Sequence, residues 1–137
     1  MLNITSRGNY GLQAMVELAL HFNQGVLQVS DISNRANIPK NYLEQLLNTL
    51  KKSGLIHSLR GNKGGYKLAL HPEQISVNDI LHSLEGAESL AEAYQKNDAI
   101  KKYYQKAETA LKDIFNVTLD ELAREQTLID KQLTFYI

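Results

Sequence analysis

The chain has 137 residues, 43% hydrophobic and 22% charged, which is the composition of one globular domain and not of a disordered segment. Cysteine is absent, and this excludes disulfides, thiol switches and every thiolate-held zinc or iron–sulfur site. The formal net charge is zero, yet residues 1–71 hold eight cations against three anions and the remainder holds seven against twelve. A basic first half is typical of a protein that faces phosphates, although such a partition also arises by chance.

Targeting and metal signals are weak. No apolar run approaches the roughly 18 residues that cross a bilayer, and segment 1–11 lacks the charged-then-apolar plan of a signal peptide. We therefore expect a cytoplasmic protein without a membrane partner. The four histidines are scattered and form no His/carboxylate pair of zinc-enzyme type, so we expect no bound metal.

Three helices are predicted in the first 52 residues. Apolar spacing predicts one over 7–22, and Ser30 is a candidate N-cap for a short helix over 31–36. Pro39 at a first helical position then predicts a helix over 39–52, which Gly54 ends. Two short helices joined by a tight link are typical of a helix-turn-helix.

The 39–52 helix has a leucine stripe on one side and polar side chains on the other. Such polar side chains can contact base edges or phosphates, but an ordinary solvated helix looks similar. The predicted outer face consists of Lys40, Asn41, Glu44, Gln45, Asn48 and Lys51.

A hairpin with a basic tip follows directly. LIHSLR and YKLAL alternate apolar and polar residues, and RGNKGG lies between them. Gly61, Gly64 and Gly65 allow a tight turn, and Arg60, Lys63 and Lys67 supply cations for phosphate or minor-groove contact. A phosphate-binding enzyme loop would lead into a helix, whereas this one leads into a strand. The arrangement predicts a winged helix and not an enzyme.

The second half is predicted to be helical. Ser76 caps a helix over 77–85, and a long helix is expected over 89–116, with a loop possible at 96–98. Thr118 would cap a short helix over 119–126, before a tail over 127–137. The fold class is therefore mainly α with a small β-hairpin: residues 1–75 form a winged helix-turn-helix, and residues 76–137 add linker, dimerisation helix and tail to one compact chain.

The long helix has an apolar stripe with few places to pack inside its own subunit. Pairing with a second copy would bury the stripe and supply two-fold symmetry; the alternative is that the helix folds back over its own hairpin. The dimerisation residues would be Ile100, Tyr103, Tyr104, Ala107, Leu111, Ile114 and Phe115. Two DNA-binding units on one face suit a palindromic operator in double-stranded DNA.

The sequence resembles the Rrf2 family of bacterial transcription regulators over nearly its whole length. The resemblance lies in TSRGNYGLQAMVELA, ISNRANIPKNYLEQLLNTLKKSGLI and RGNKGGYKLA, and VNDILHSLEG and TLDELA extend it. It implies a homodimeric winged-helix DNA-binding protein, usually a repressor and sometimes an activator.

Positions carried over from the family define a DNA-contact set. The helix would contribute Lys40, Asn41, Tyr42, Glu44 and Gln45, and the hairpin Arg60, Asn62, Lys63, Gly64 and Gly65. Arg7 would hold a phosphate. Glu44 can accept from cytosine N4 or simply pair with Lys40, and Tyr42 can equally be a packing residue.

One departure from the family concerns the sensor. Many members hold an iron–sulfur cluster on three cysteines in the region matching about 88–106, where this chain has none. The chain is closer to the cluster-free branch that contains repressors of cysteine metabolism. Those proteins respond through a complex with O-acetylserine sulfhydrylase, and the resemblance implies that Phe135, Tyr136 and Ile137 form the partner tail. The alternative is that this hydrophobic C-terminus packs on the dimer.

Another function class stays open at this stage. A winged helix can serve as a protein-interaction module without DNA, and salt-sensitive binding to duplex DNA would distinguish the two.

Overall fold

The computed structural model describes residues 4–86 and 97–136, with the side chains of 135 and 136 left out. Its elements, in chain order, are α1 (Ser6–Leu20), α2 (Val29–Ala36), α3 (Lys40–Lys52), β1 (Ile56–Leu59), β2 (Gly65–Leu68), a 3-10 turn (Pro72–Gln74), α4 (Val77–Glu85), α5 (Asp98–Ile114) and α6 (Leu119–Tyr136). This mainly α fold with one small antiparallel hairpin is the predicted class.

The core lies where α1 to α4 and the hairpin meet. The inward side of α3 contributes four leucines, which recur at helical spacing and have no solvent exposure. They are Leu43, Leu46, Leu47 and Leu50. Ile32 of α2 and Met15 of α1 are equally enclosed. The sequence pattern thus fixes which side of α3 remains outside.

The start of α2 differs from the prediction. The N-cap is Gln28 and not Ser30, because a capping box forms in which the Gln28 N–H donates to the Asp31 carboxylate at 2.9 Å. Ser30 instead lies inside the first turn. Pro39 was predicted to be the first helical residue of α3. It is instead the N-cap residue, and Lys40 is the first helical residue.

The predicted helix over 77–85 is confirmed. The Ser76 side chain accepts from the Asp79 N–H at 3.1 Å, and the Asp79 carboxylate accepts from the Ser76 N–H at 2.9 Å. Gly86 follows the last residue with φ of 91°, which favours glycine. Both ends of α4 are therefore set by local sequence.

The hairpin has a third extended segment beside it that sequence patterning did not predict. β1 and β2 pair with Ile56 opposite Leu68 and Leu59 opposite Gly65. Leu27 then bridges Tyr66 on the other edge of β2, with N···O distances of 2.9 and 2.7 Å. This bridge attaches the hairpin to the segment between α1 and α2.

The C-terminal half also differs from the prediction. The Asn97 side chain caps α5, which agrees with a break at 96–98, whereas residues 89–96 lie outside the described residues. The short helix over 119–126 is in fact the beginning of α6, which continues to Tyr136 in place of the expected irregular tail. Leu119 has no solvent exposure and belongs to the same core as α3.

α6 lies against α1, and this contact affects the pKa of one acidic side chain. Glu17 is half-buried, and this burial raises the pKa of its carboxyl. Arg35 of α2 lowers that pKa and Asp130 of α6 raises it further. The C-terminal helix is therefore near enough to α1 to influence the electrostatics of the N-terminal half.

Candidate nucleic-acid interface

The outer side of α3 presents a continuous polar surface, which we call the recognition face. All of its side chains are exposed, and within residues 4–86 and 97–136 none forms a hydrogen bond or an ion pair. The recognition face consists of Lys40, Asn41, Glu44, Gln45 and Asn48. Amide, ammonium and carboxylate groups in one row on an exposed helix can bond base edges in a major groove.

Glu44 is free of the ion pair that sequence spacing allowed. In the described part of the chain no salt bridge joins Glu44 to Lys40, although the two are four residues apart on one helix. Its carboxylate is available as an acceptor, and it also repels phosphate. The base-contact role of Glu44 stays a prediction.

Tyr42 is placed differently from the recognition face. Its ring is half-buried and lies edge-on against Tyr10 of α1, with ring centroids 5.7 Å apart and an interplanar angle of 76°. It also packs against the core. This geometry supports the packing alternative, and a DNA contact would have to come from the ring's exposed part.

The link between α2 and α3 holds the helix-turn-helix in shape. Asn37 adopts a left-handed conformation, with φ of 54°. The Ser33 hydroxyl donates to the carbonyl of Ile38 at 2.6 Å, and the Ile38 N–H donates back to the carbonyl of Ser33 at 3.1 Å. Because Ile38 is buried two residues before Lys40, these bonds fix where α3 begins relative to the core.

The hairpin turn at 60–65, here called the wing tip, carries the predicted cations. Arg60, Asn62 and Lys63 are exposed. The turn closes through the Gly64 N–H, which donates to the carbonyl of Gly61 at 2.9 Å, and Gly61 needs its φ of 99°. The structure therefore exposes the cations on a closed turn.

Glycine is required at the last two positions of this turn for reasons of space. A Cβ on Gly64 would collide with the carbonyl oxygen of Leu59 and approach the backbone carbon of Arg60 to 2.8 Å. On Gly65, whose φ is 155°, it would lie 2.6 Å from the carbonyl oxygen of Leu27. Gly64 and Gly65 thus shape the wing tip without offering side chains to DNA.

Arg7 has an intramolecular position that sequence alone did not indicate. Its Nε donates to the carbonyl of Leu84 at 3.1 Å, and one terminal nitrogen donates to the Thr49 hydroxyl at 2.9 Å. The guanidinium therefore connects α1 to α3 and α4 from a half-buried site. A phosphate contact by Arg7 stays a prediction, and any such contact must be shared with this bridging role.

The apolar stripe of α5 is only partly covered in the described structure. None of the residues of α5 is buried; Tyr103 is 65% exposed and Ile114 is 66% exposed. Ile100 is also exposed, and the remaining members, Tyr104, Ala107, Leu111 and Phe115, are half-buried. The helix is attached near its end, where the Asn78 side chain donates to the carbonyl of Lys112 at 2.8 Å. Pairing of α5 with a second copy stays a prediction, as does the alternative that it folds back over its own hairpin.

The partner tail can be located only in part. Phe135 and Tyr136 fall in the last turn of α6, while their side chains and Ile137 lie outside the described residues. On the described part of α6, Leu128, Ile129 and Leu133 are exposed apolar side chains.

The profile of one protein family matches this architecture. The profile of Rrf2, an iron-dependent transcriptional regulator, matches residues 4–125, which is most of the chain. The chain belongs to the Rrf2 family.

Individual Rrf2 relatives are similar in sequence to this chain over almost its full length. The chain is 33% identical to the HTH-type transcriptional regulator CymR of Bacillus subtilis over 99% of this chain and all of CymR. It superposes on the solved structure of that protein, the global cysteine regulator of B. subtilis, with a TM-score of 0.84, 35% identity and coverage of 91% and 98%. The structure of T. potens IscR gives 0.79 at 34% identity, covering 91% and 88%. The chain is thus a transcriptional regulator and not an enzyme.

The iron in the family description does not fit the donors of this Rrf2 chain. The chain contains no cysteine, so a thiolate-ligated cluster has no ligands. In residues 4–86 and 97–136, moreover, no three His, Asp or Glu residues lie together as metal ligands would. None of the described helices is long and apolar enough to cross a membrane.

We expect Gly64→Ala to destabilise this Rrf2 protein by about 1–3 kcal/mol, because its methyl group would press on the backbone of Leu59 and Arg60. Urea denaturation measures the change in the free energy of unfolding. Asn62→Ala on the same turn is the control, and its exposed side chain predicts a change within about 0.5 kcal/mol. Equal stability of the two variants would show that the turn opens freely around a Cβ.

Proposed function

We propose that this Rrf2 regulator acts as a homodimer that binds a palindromic operator through α3 and the wing tip, and that it represses transcription. The observation that carries the proposal is the recognition face, which is fully exposed and unengaged beside three exposed tip residues that include two cations. In this division of labour residues 1–75 bind DNA and residues 76–137 hold the two subunits together.

The distribution of charge supports this orientation. Residues 1–71 carry a formal excess of five positive charges, and the C-terminal half carries the opposite excess. DNA attracts the first half and repels the second, so electrostatics favours the approach of α3 and the wing tip. Because each neutralised phosphate releases counterions, the operator affinity should fall steeply with salt.

We assign different tasks to the residues of the interface. Asn41, Gln45 and Asn48 bear amides that suit hydrogen bonds to base edges, and Glu44 suits cytosine N4. Lys40 and Lys63 suit phosphates, and Asn62 lies between the tip cations. Arg60 enters a groove next to that of α3.

Arg60→Ala tests the wing. If Arg60 contacts a base, the variant should lose about 1–3 kcal/mol of operator binding and tolerate changes at that base pair; if it contacts phosphate, the salt slope should fall by about one. A mobility-shift titration at several salt concentrations distinguishes these outcomes, using an operator found by sequencing DNA recovered with the protein.

Arg124→Ala is the matched control for this experiment. Arg124 is an exposed arginine on α6, paired with Asp120 at 2.8 Å, so its removal changes the net charge equally but outside the interface. We expect near wild-type binding. If Arg60→Ala and Arg124→Ala bound the operator equally, Arg60 would have no DNA contact.

The stripe of α5 is our proposed dimer interface. Pairing two copies of this helix would remove Tyr103 and Ile114 from water and place two recognition faces in one symmetric unit. The spacing of two such faces would match half-sites in neighbouring major grooves.

The double variant Tyr103→Glu/Ile114→Glu should separate the subunits. Burying two carboxylates in an apolar interface should raise the dimer Kd by roughly 30-fold or more. Both positions are exposed in the single chain, so the fold should be retained. Sedimentation velocity measures the dimer Kd, and Thr109→Glu, on the opposite side of α5, should leave it unchanged. A double variant that stayed as dimeric as the wild type would contradict the assignment.

We further propose that the protein senses its signal without a cluster and regulates cysteine or sulfur metabolism. Support comes from the absence of thiolates and from the similarity to a protein described as a global cysteine regulator. An O-acetylserine sulfhydrylase would be the partner, held through Phe135, Tyr136 and Ile137. A terminal carboxylate with apolar anchors is an established mode of peptide capture.

A titration of a peptide of the last ten residues against the sulfhydrylase tests the tail. We expect saturable binding that is lost when Ile137 is replaced by Ala, because the anchor beside the carboxylate would be removed. The same peptide with Leu133→Ala is the control and should bind normally. Absence of saturable binding would remove the partner from the proposal.

A further inference from the structure

A half-enclosed cavity lies between the end of α1 and the base of the hairpin. Its volume is about 420 Å³, within the range of small-molecule sites. One wall is the last turn of α1 and the residues that follow it, and the other wall is β2 with its neighbour on β1. We call this space the wing-base cavity, and its principal lining residues are Leu18, His21, Phe22, His57, Tyr66 and Lys67.

The polar lining is cationic or neutral. Lys67 brings an ammonium group, His21 and His57 bring imidazole N–H donors, and none of the lining residues is acidic. His57 and Lys67 are exposed at the mouth, whereas His21 is half-buried. A lining with ammonium and imidazole donors and no carboxylate suits an anion.

The apolar lining complements these donors. Leu18 and Leu68 are buried, and the ring of Phe22 is held edge-on by His71 with centroids 4.9 Å apart. Because this ring is braced from behind, it provides a firm apolar surface. The cavity therefore suits a ligand with one anionic end and an apolar or aromatic body.

An occupant of the cavity would contact both the end of α1 and the hairpin. His57 and Lys67 are cross-strand partners in the hairpin, and Tyr66 is the residue that Leu27 bridges. His21 and Phe22, by contrast, lie outside the hairpin and directly follow α1. A ligand spanning the two walls would bias the angle of the hairpin relative to α3.

We propose that the wing-base cavity is an effector site for a small carboxylate with an apolar or aromatic body, and that its occupant changes operator affinity through the hairpin. The regulatory part rests on the DNA-binding function proposed above. A ligand changes the DNA affinity only if it binds more tightly to one orientation of the hairpin than to another. DNA binding then changes the ligand affinity by the same factor.

The site itself is tested on the full chain without DNA. Amide spectra of ¹⁵N-labelled protein are recorded during titration with benzoate, with indole-3-acetate and with benzamide, the neutral analogue of benzoate. We expect saturable shifts at 21–25, 57 and 66–69, and benzoate should bind about tenfold more tightly than benzamide, because charge-assisted hydrogen bonds need the carboxylate.

Three histidine variants supply the controls. His21→Ala and His57→Ala remove ring donors from the cavity and should each weaken benzoate binding by about fivefold or more. His82→Ala removes an exposed histidine on α4, outside the cavity, and should leave binding unchanged. The site is overturned if neither carboxylate gives saturable shifts, if benzamide binds as well as benzoate, or if the three variants behave alike.

The regulatory role is tested by measuring operator affinity with and without saturating benzoate. We expect the operator Kd of the wild type to change by about threefold or more, and that of His21→Ala to change less. An unchanged wild-type Kd would overturn the effector role. Failure to bind DNA even without benzoate would instead overturn the proposed function, while the cavity titration would stand by itself.

Discussion

Burial of one side of α3 is the constraint on which the whole interface depends. Leu43, Leu46, Leu47 and Leu50 have no solvent exposure, and a helix with such a stripe has one stable rotation about its axis. The residues between the leucines must then face outward, which exposes the amides and charges of the recognition face. The same core receives Ile32 from α2 and Ile56 from β1, so packing that forms the domain also aligns helix and wing.

Elements with strong local signals were predictable from the sequence. The leucine spacing gave α3, the glycines between alternating segments gave the hairpin, and Ser76 with Asp79 gave the start of α4. The start of α2 was not predictable in this way. The Leu27 bridge to Tyr66 places a long-range contact directly before Gln28, and the Gln28–Asp31 capping box then begins the helix there and not at Ser30.

The length of α6 was missed for a different reason. Leu128, Ile129 and Leu133 are exposed, so no buried stripe marks this part of the chain as helical. Local bonds accompany the helix there: the Gln126 side chain donates to Asp130 at 3.0 Å, and the Thr134 hydroxyl donates to the carbonyl of Asp130 at 2.9 Å. The bridging position of Arg7 in the candidate site also could not be predicted from the sequence, because its partner Leu84 lies 77 positions away. Counting cations in a sequence therefore overstates the number that are free for DNA.

If α5 pairs two subunits as proposed, the amount of active regulator depends on how much of the protein the cell contains. If the dimer is the active species, it forms by association of two subunits. At concentrations below the dimer Kd, its amount follows the square of the subunit concentration. Halving synthesis would then leave roughly a quarter of it. A promoter under such control responds more sharply to growth dilution and proteolysis than one bound by single subunits.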